Sequence, residues 1–328
     1  MKNDTRKPQV SAIIIFLNAE NFIEEAIQSI LAQTYDDWEL LLVDDGSDDG
    51  STAIARRYAE QRPNQIYYFQ HPAHQNCGKG ASRNLGIDHA NGKYIAFLDA
   101  DDIWLPHKLE EQVNIMEANP EVGMLYGNTL YWYGWTGNPE DIQRDFIPKL
   151  GVKSDTVIEP PKLLPLFLRG KAAVPCTCSI LVRKRVAQEV GGFDAAFRGV
   201  QNIYEDQAFY AKICLSTSVR AVNRCWDKYR QHAGASVAIA RFTKQEYEAR
   251  LFFLKWLSDY ISQGEIKDSA VREALQKEFW LKKSPSWLPT SGRVFPLVRW
   301  LKKWILWAEE RILPVFIRRW LWGEGENV

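Results

Sequence analysis

Short apolar blocks alternate along the first part of the chain with stretches whose apolar positions recur every three or four residues. Val10–Leu17, Trp38–Val43, Ile66–Phe69, Lys93–Leu98 and Val122–Tyr126 are dominated by aliphatic, β-branched and aromatic residues. Runs of this length, apolar on both faces, are the signature of strands in a covered parallel sheet. Between the first two, Phe22, Ala26, Ile27, Ile30 and Leu31 share one helical face, and Asn21 with Glu24 has the spacing of a capping box. Ser51 or Thr52 opens a helix to about Tyr58, and Ala81–Ala90 forms another. Pro106 suits the first turn of a helix that ends near Ala118. The first 126 residues therefore predict alternating β and α units, a parallel sheet with helices on both faces.

The pattern then loosens. Thr129–Pro161 mixes aromatic, glycine and proline residues without a period and reads as long excursions over the active face, where specificity resides. Leu163–Leu168 is helical, Thr177–Val182 a strand, and Arg183–Val190 a helix closed by Gly191-Gly192. Tyr204–Leu215 has helical spacing, and Val219–Val222 and Trp226–Arg230 are expected as closing strands. Seven of the 13 tryptophans fall from Trp280 onward. There Leu297, Trp300, Leu301, Trp304, Ile305 and Ala308 share a helical face, and Arg293 to Arg319 carries seven Lys/Arg against two Glu. A basic, tryptophan-rich amphipathic segment reads as a membrane-surface element in preference to a helical cap on the core.

Composition narrows the class. The 328 residues, 46% hydrophobic, can build one large domain and an appendage. Basic and acidic residues balance at 41 each, which argues against a nucleic-acid partner. Five cysteines form no paired framework, and Cys176 and Cys178 are spaced C-x-C rather than as a zinc or redox pair, consistent with a reducing compartment. Val10–Leu17 is too short for a secretory or spanning segment, and no stretch reads as a transmembrane helix. A cytoplasmic location, peripheral at the inner face of the plasma membrane, follows as the expectation.

Two acidic loops carry the candidate chemistry. Asp44-Asp45 ends the second strand, and Asp99-Ala100-Asp101-Asp102 ends the strand Tyr94–Leu98. Ligands bind open α/β sheets where strands end, and both loops would face one crevice. One carboxylate can accept the ring N–H of a nucleobase, and others can hold ribose hydroxyls or a hard cation on phosphates. The G-x-x-x-x-G-K-[ST] and G-x-G-x-x-G signatures are absent, which argues against a P-loop NTPase or a dinucleotide enzyme.

Taken in order, Ser11-Ala-Ile-Ile-Ile, Ser29-Ile-Leu-Ala-Gln-Thr-Tyr35, Val43-Asp-Asp-Gly-Ser-Asp-Asp-Gly-Ser51, Gly80-Ala-Ser-Arg-Asn-Leu-Gly86, Phe97-Leu-Asp-Ala-Asp-Asp102, Gly191-Gly-Phe-Asp194, Glu205-Asp206 and Tyr229-Arg-Gln-His232 resemble the motifs of family 2 glycosyltransferases of the bacterial cell-surface polysaccharide type. The resemblance covers about residues 8–235 and implies a GT-A domain there, with 236–328 as a helical, membrane-surface appendage. It implies an inverting transfer from a nucleoside-diphosphate sugar, UDP-linked, to a hydroxyl of a glycan or lipid-linked acceptor. Asp206 would be the base, and Asp45, Arg83, Asp99 and Asp101 would bind the nucleotide sugar. Asp101, Asp99 and His232 would hold Mg2+ or Mn2+, while Asp194, Glu205 and Trp104 would lie toward the acceptor or support the site. Simpler roles stand beside these: a surface salt bridge for Arg83, dipole-favoured acids for Glu205-Asp206, a turn for Asp194, a structural His232, and packing below the acidic loop for Trp104. A sugar nucleotidyltransferase, which would need a basic glycine-rich signature after the first strand, and a non-catalytic membrane-tethered scaffold are the alternative classes.

Overall fold

In a computed structural model of the chain, residues 7–243 and 245–283 are described. The apolar blocks become β1 (Val10–Phe16), β2 (Trp38–Asp44), β3 (Ile66–Gln70) and β4 (Tyr94–Asp99). Helices α1 (Ile23–Leu31), α2 (Ser51–Gln61) and α3 (Lys79–His89) connect them. β5 (Ile103–Trp104), α4 (Lys108–Ala118) and β6 (Val122–Trp132) follow, then α5 (Pro139–Ile142), β7 (Thr156–Ile158), α6 (Leu164–Leu168), β8 (Ile180–Arg183) and α7 (Lys184–Glu189). α8 (Glu205–Ser216) leads into β9 (Ser218–Arg230), and α9 (Ser236–Phe242), α10 (Glu246–Gln263) and α11 (Ser269–Lys283) complete the described elements.

The strands form one mixed sheet in the order β3-β2-β1-β4-β8-β6-β9-β5, with β7 paired to β9. β1 to β4 are mutually parallel, and β8 is antiparallel to both β4 and β6. Every residue of β1 and β2 is buried, as continuous apolar runs require. Alternate residues feed opposite faces. Ile13, Leu41, Ile95 and Phe97 join α8 and α10 on one side, while Ile14, Leu42, Ala96 and Leu98 join α1 and α4 on the other.

Several sequence expectations change. The two closing strands are one 13-residue strand, β9, whose register against β6 shifts three times. Bulges of this kind let one strand bend through positions that break a strict alternation. The capping box does not form, because α1 starts at Ile23 without a side-chain cap and Glu24 turns to Arg57 and Tyr58. The Gly191-Gly192 stop does form: both glycines have positive φ, and their N–H groups return to Gln188 and Ala187 carbonyls. The compact unit runs past residue 235 to Phe279. α10 is bound into it by buried Ala249, Phe253, Leu254 and Leu257 and by the Phe253 ring stacked on Tyr204. Among the described residues no helix is long and apolar enough to cross a membrane. The expected amphipathic face at 297–308 lies outside the described residues.

Candidate active site

β1 lies between β2 and β4, with Ile15 opposite Val43 on one side and Asp99 on the other. The two acidic loops therefore leave the same edge of the sheet, at the carboxyl ends of parallel strands. A cleft of about 660 Å³ opens there, lined by Asp45, Lys79, Asp99, Asp101, Tyr229 and His232 among others.

The first loop is held by its own acids. Asp44, fully buried, accepts from the Gly46 and Ser47 N–H groups at 3.1 and 2.8 Å and from the Thr52 and Tyr68 hydroxyls. Gly46 sits at φ +89°, and a Cβ there would meet the His74 carbonyl at 2.8 Å, so only glycine fits this bend. Asp45 accepts from the Cys77 and Gly78 N–H groups at 2.8 and 3.0 Å, which fixes the approach to α3 at the cleft wall.

Arg83, on α3, is 1% exposed and bridges two acids. Its Nη2 donates to Asp99 at 2.7 Å and its Nη1 to Glu205 at 2.5 Å. Burial alone would lower its pKa, but the Asp99 and Glu205 carboxylates reverse this and hold it above its ordinary value. Burial likewise pushes Asp99 up, and Arg83 with Lys79 brings it below the usual carboxylate range. Arg83 thus joins the end of β4 to the start of α8, a buried role rather than a surface salt bridge. It leaves Asp206 half-buried, with the N–H of Gln207 donating to it at 2.6 Å. Burial and the adjacent Glu205 push Asp206 up to about 7, against the pull of Arg83 and Lys79. A carboxylate with that affinity for a proton is suited to general-base work near neutral pH.

The second loop closes on β9. His232 Nε2 lies 3.0 Å from Asp101 Oδ2, and its ring packs 5.0 Å from that of Phe22. Arg230 donates from Nε to the Asp101 carbonyl and from its backbone N–H to Asp102, at 2.7 and 2.8 Å, while Nη2 reaches Glu25. The rings of Phe22, Trp132 and Trp135 surround its guanidinium at 5.0, 4.7 and 5.1 Å. Sequence reasoning gave Arg230 no role. Its signal was its place inside the Tyr229-Arg-Gln-His232 motif, at the end of β9 beside the acidic loop.

Of the expected metal ligands, Asp101 and His232 come together, while Asp99 is turned to Arg83. Among the described residues no three His, Cys, Asp or Glu side chains gather to hold an ion by themselves. A divalent cation on a nucleoside diphosphate takes most of its ligands from phosphate and water, so one carboxylate and one imidazole fit such an ion. Two other expected residues serve the fold. Trp104 is 2% exposed and donates from Nε1 to the Cys178 carbonyl at 3.1 Å, so it packs beneath the acidic loop and lines no sugar site. Asp194 accepts from the Ala196 N–H and from the Trp256 indole, both at 2.9 Å, so Oδ1 closes its own turn and Oδ2 ties that turn to α10.

A sequence family described as glycosyl transferase family 2 matches residues 11–191. The chain is 31% identical over 252 residues to an uncharacterized glycosyltransferase, RT0329, of Rickettsia typhi, covering 76% of this chain and 72% of that protein. It is 38% identical over 112 residues to the putative teichuronic acid biosynthesis glycosyltransferase TuaG of Bacillus subtilis, covering 34% of this chain and 42% of that protein. The stretch shared with a Nostoc relative is 36% of that protein's length. Among solved structures, S. aureus TarS 1-349 in complex with UDP superposes with a TM-score of 0.61 at 17% identity, covering 88% of this chain and 77% of that one. Mannosyltransferase PcManGT from Pyrobaculum calidifontis, in complex with GDP-Man and Mn2+, gives 0.51 at 18% identity, covering 96% and 84%. These likenesses identify the fold as GT-A. The chain belongs to glycosyl transferase family 2, and with that to the enzymes that transfer sugars.

Proposed function

We propose that the chain catalyses an inverting, metal-dependent transfer of a sugar from a UDP-linked donor to a hydroxyl of a glycan or lipid-linked acceptor in cell-surface polysaccharide synthesis. The observation that carries this reading is the Arg83 bridge. It ties Asp99, which lines the cleft, to Glu205, whose neighbour Asp206 is pushed up to about 7 by burial and by Glu205 itself. One buried guanidinium joining these two acids supports a donor site and a base held in fixed relation. Asp206 takes the proton of the acceptor hydroxyl as its oxygen attacks the anomeric carbon, and attack opposite the leaving group inverts that centre. Asp101 and His232 hold Mg2+ or Mn2+, which supplies neutralisation of the charge that develops on the departing diphosphate. Asp45 and the loop it holds receive the base, and Arg83 keeps Asp99 charged at the donor's ribose end.

A UDP-linked donor is supported by the UDP complex of TarS and a divalent ion by the Mn2+ in PcManGT, two proteins of the same fold. The naming of TuaG supports a cell-surface glycan acceptor. The segment after Lys283 holds the enzyme at the membrane surface, where a lipid-linked acceptor resides. Release of nucleoside diphosphate, measured with and without Mn2+ across a panel of sugar nucleotides, tests the reading. UDP release that requires both metal and acceptor is expected. Nucleotide exchange with pyrophosphate in place of transfer would instead mark a nucleotidyltransferase.

A further inference from the structure

The cleft is ringed by acids, yet the donor proposed for it carries a negatively charged diphosphate. Asp45, Asp99 and Asp101 line it, and Lys79 is the one lysine or arginine among its described lining residues. The two guanidiniums nearby are committed elsewhere: Arg83 to Asp99 and Glu205, Arg230 to Glu25 and the acidic loop. Lys79 is different. It opens α3 four residues before Arg83, so the two side chains share a helix face one turn apart. Arg83 points from that face at Asp99 and Glu205. Lys79 extends the same face toward the cleft, and no carboxylate of a described residue lies within 4.0 Å of its ammonium. It lines the same cleft as Asp99, and its charge lowers both Asp99 and Asp206. On the donor reading, the diphosphate and the transferred sugar occupy that cleft, within reach of its ammonium.

We propose that Lys79 binds an anionic oxygen of the donor beyond its nucleoside: a diphosphate oxygen or, in a uronate donor, the sugar carboxylate. The inference rests on the donor reading above and deepens it. A lysine ammonium is a point charge with three donors, suited to either oxygen. A bound metal would offset part of the diphosphate charge at Asp101 and His232, and Lys79 supplies positive charge from α3 in the same cleft.

The test is calorimetric binding to the full chain in Mn2+, with UDP, GDP, CDP, ADP and dTDP and their nucleosides, for the wild type, Lys79→Met and Lys79→Arg. For the diphosphate that the wild type binds, Lys79→Met is expected to lose about tenfold or more in affinity. Lys79→Arg should retain most of it, and the nucleoside should change less than about twofold. UDP-glucose and UDP-glucuronate then separate the sources. Equal losses assign Lys79 to the diphosphate, and a loss confined to the glucuronate assigns it to the sugar carboxylate. Unchanged affinity of Lys79→Met for every ligand would overturn the inference while leaving the donor reading intact. An equal loss for the nucleoside would also overturn it, because the effect would then be a disturbed site. A wild type that binds no nucleoside diphosphate would sink the donor reading and this inference together.

Discussion

Arg83→Met should destabilise the protein far more than an ordinary arginine substitution. Methionine keeps most of the volume but removes the fork that satisfies Glu205 at 2.5 Å and Asp99 at 2.7 Å. Glu205 is 5% exposed at its side chain and cannot turn to water, so removing its partner strands a buried charge. Stranding one member of a buried pair costs about 3–5 kcal/mol. Asp99, with 29% of its side chain exposed, can rehydrate and adds less. With each kcal/mol worth about 2–4 °C in a unit of this size, Tm should fall on the order of 10 °C. The double variant Arg83→Met/Glu205→Gln should regain a large part of the loss, because the stranded charge is gone. Differential scanning fluorimetry of the wild type and the two variants decides the matter. A Tm for Arg83→Met within about 2 °C of the wild type would refute the claim that the bridge holds the site together.

Other consequences can be measured as directly. Because burial and Glu205 raise Asp206 to about 7, it is mostly protonated below that pH; if it is the proposed base, kcat should rise with pH and level off above about 7. A profile flat from pH 5.5 to 8 would count against Asp206. EDTA should abolish transfer and Mn2+ restore it, and His232→Ala should raise the Mn2+ concentration for half-maximal rate by about tenfold or more. Equal Mn2+ dependence in that variant would remove His232 from the metal site. Gly46→Ala forces a side chain against the His74 carbonyl at positive φ, so it should cost about 1–3 kcal/mol and weaken nucleotide binding through the displaced Asp45 loop. Stability and UDP affinity equal to wild type would show that the loop can bend another way. Removing residues 285–328 should move the protein from the membrane fraction to the supernatant, and an unchanged distribution would contradict the membrane role of the tail.

The parallel half of the sheet was legible because β1, β2 and β4 are buried on both faces, and burial on both faces leaves a continuous apolar run. Both acidic loops could be placed for the same reason: they begin where those runs stop. What the sequence hid were contacts made over long separations. Nothing near Arg83 in the chain announces Glu205, 122 residues away. Asp194 sits inside a motif of the family and Trp104 two residues beyond one, yet their partners are the Trp256 indole and the Cys178 carbonyl, and these partners decide what they do. The boundary expected at residue 235 failed to mark the compact unit because α10 covers the sheet with Phe253 and Leu257, spaced as any amphipathic helix would be. Lys79 passed unremarked because a lysine at the start of a helix looks like a solvated charge until the acids around it are in view.

The central claim is that Asp206 removes the acceptor proton while the rest of the cleft binds the donor. Asp206→Asn keeps the shape and removes the base, so turnover at saturating donor and acceptor should fall by about 10²–10⁴-fold. The Kd for the sugar nucleotide, measured by calorimetry on the same preparation, should stay within a few-fold of wild type. Turnover within tenfold of wild type would contradict the account.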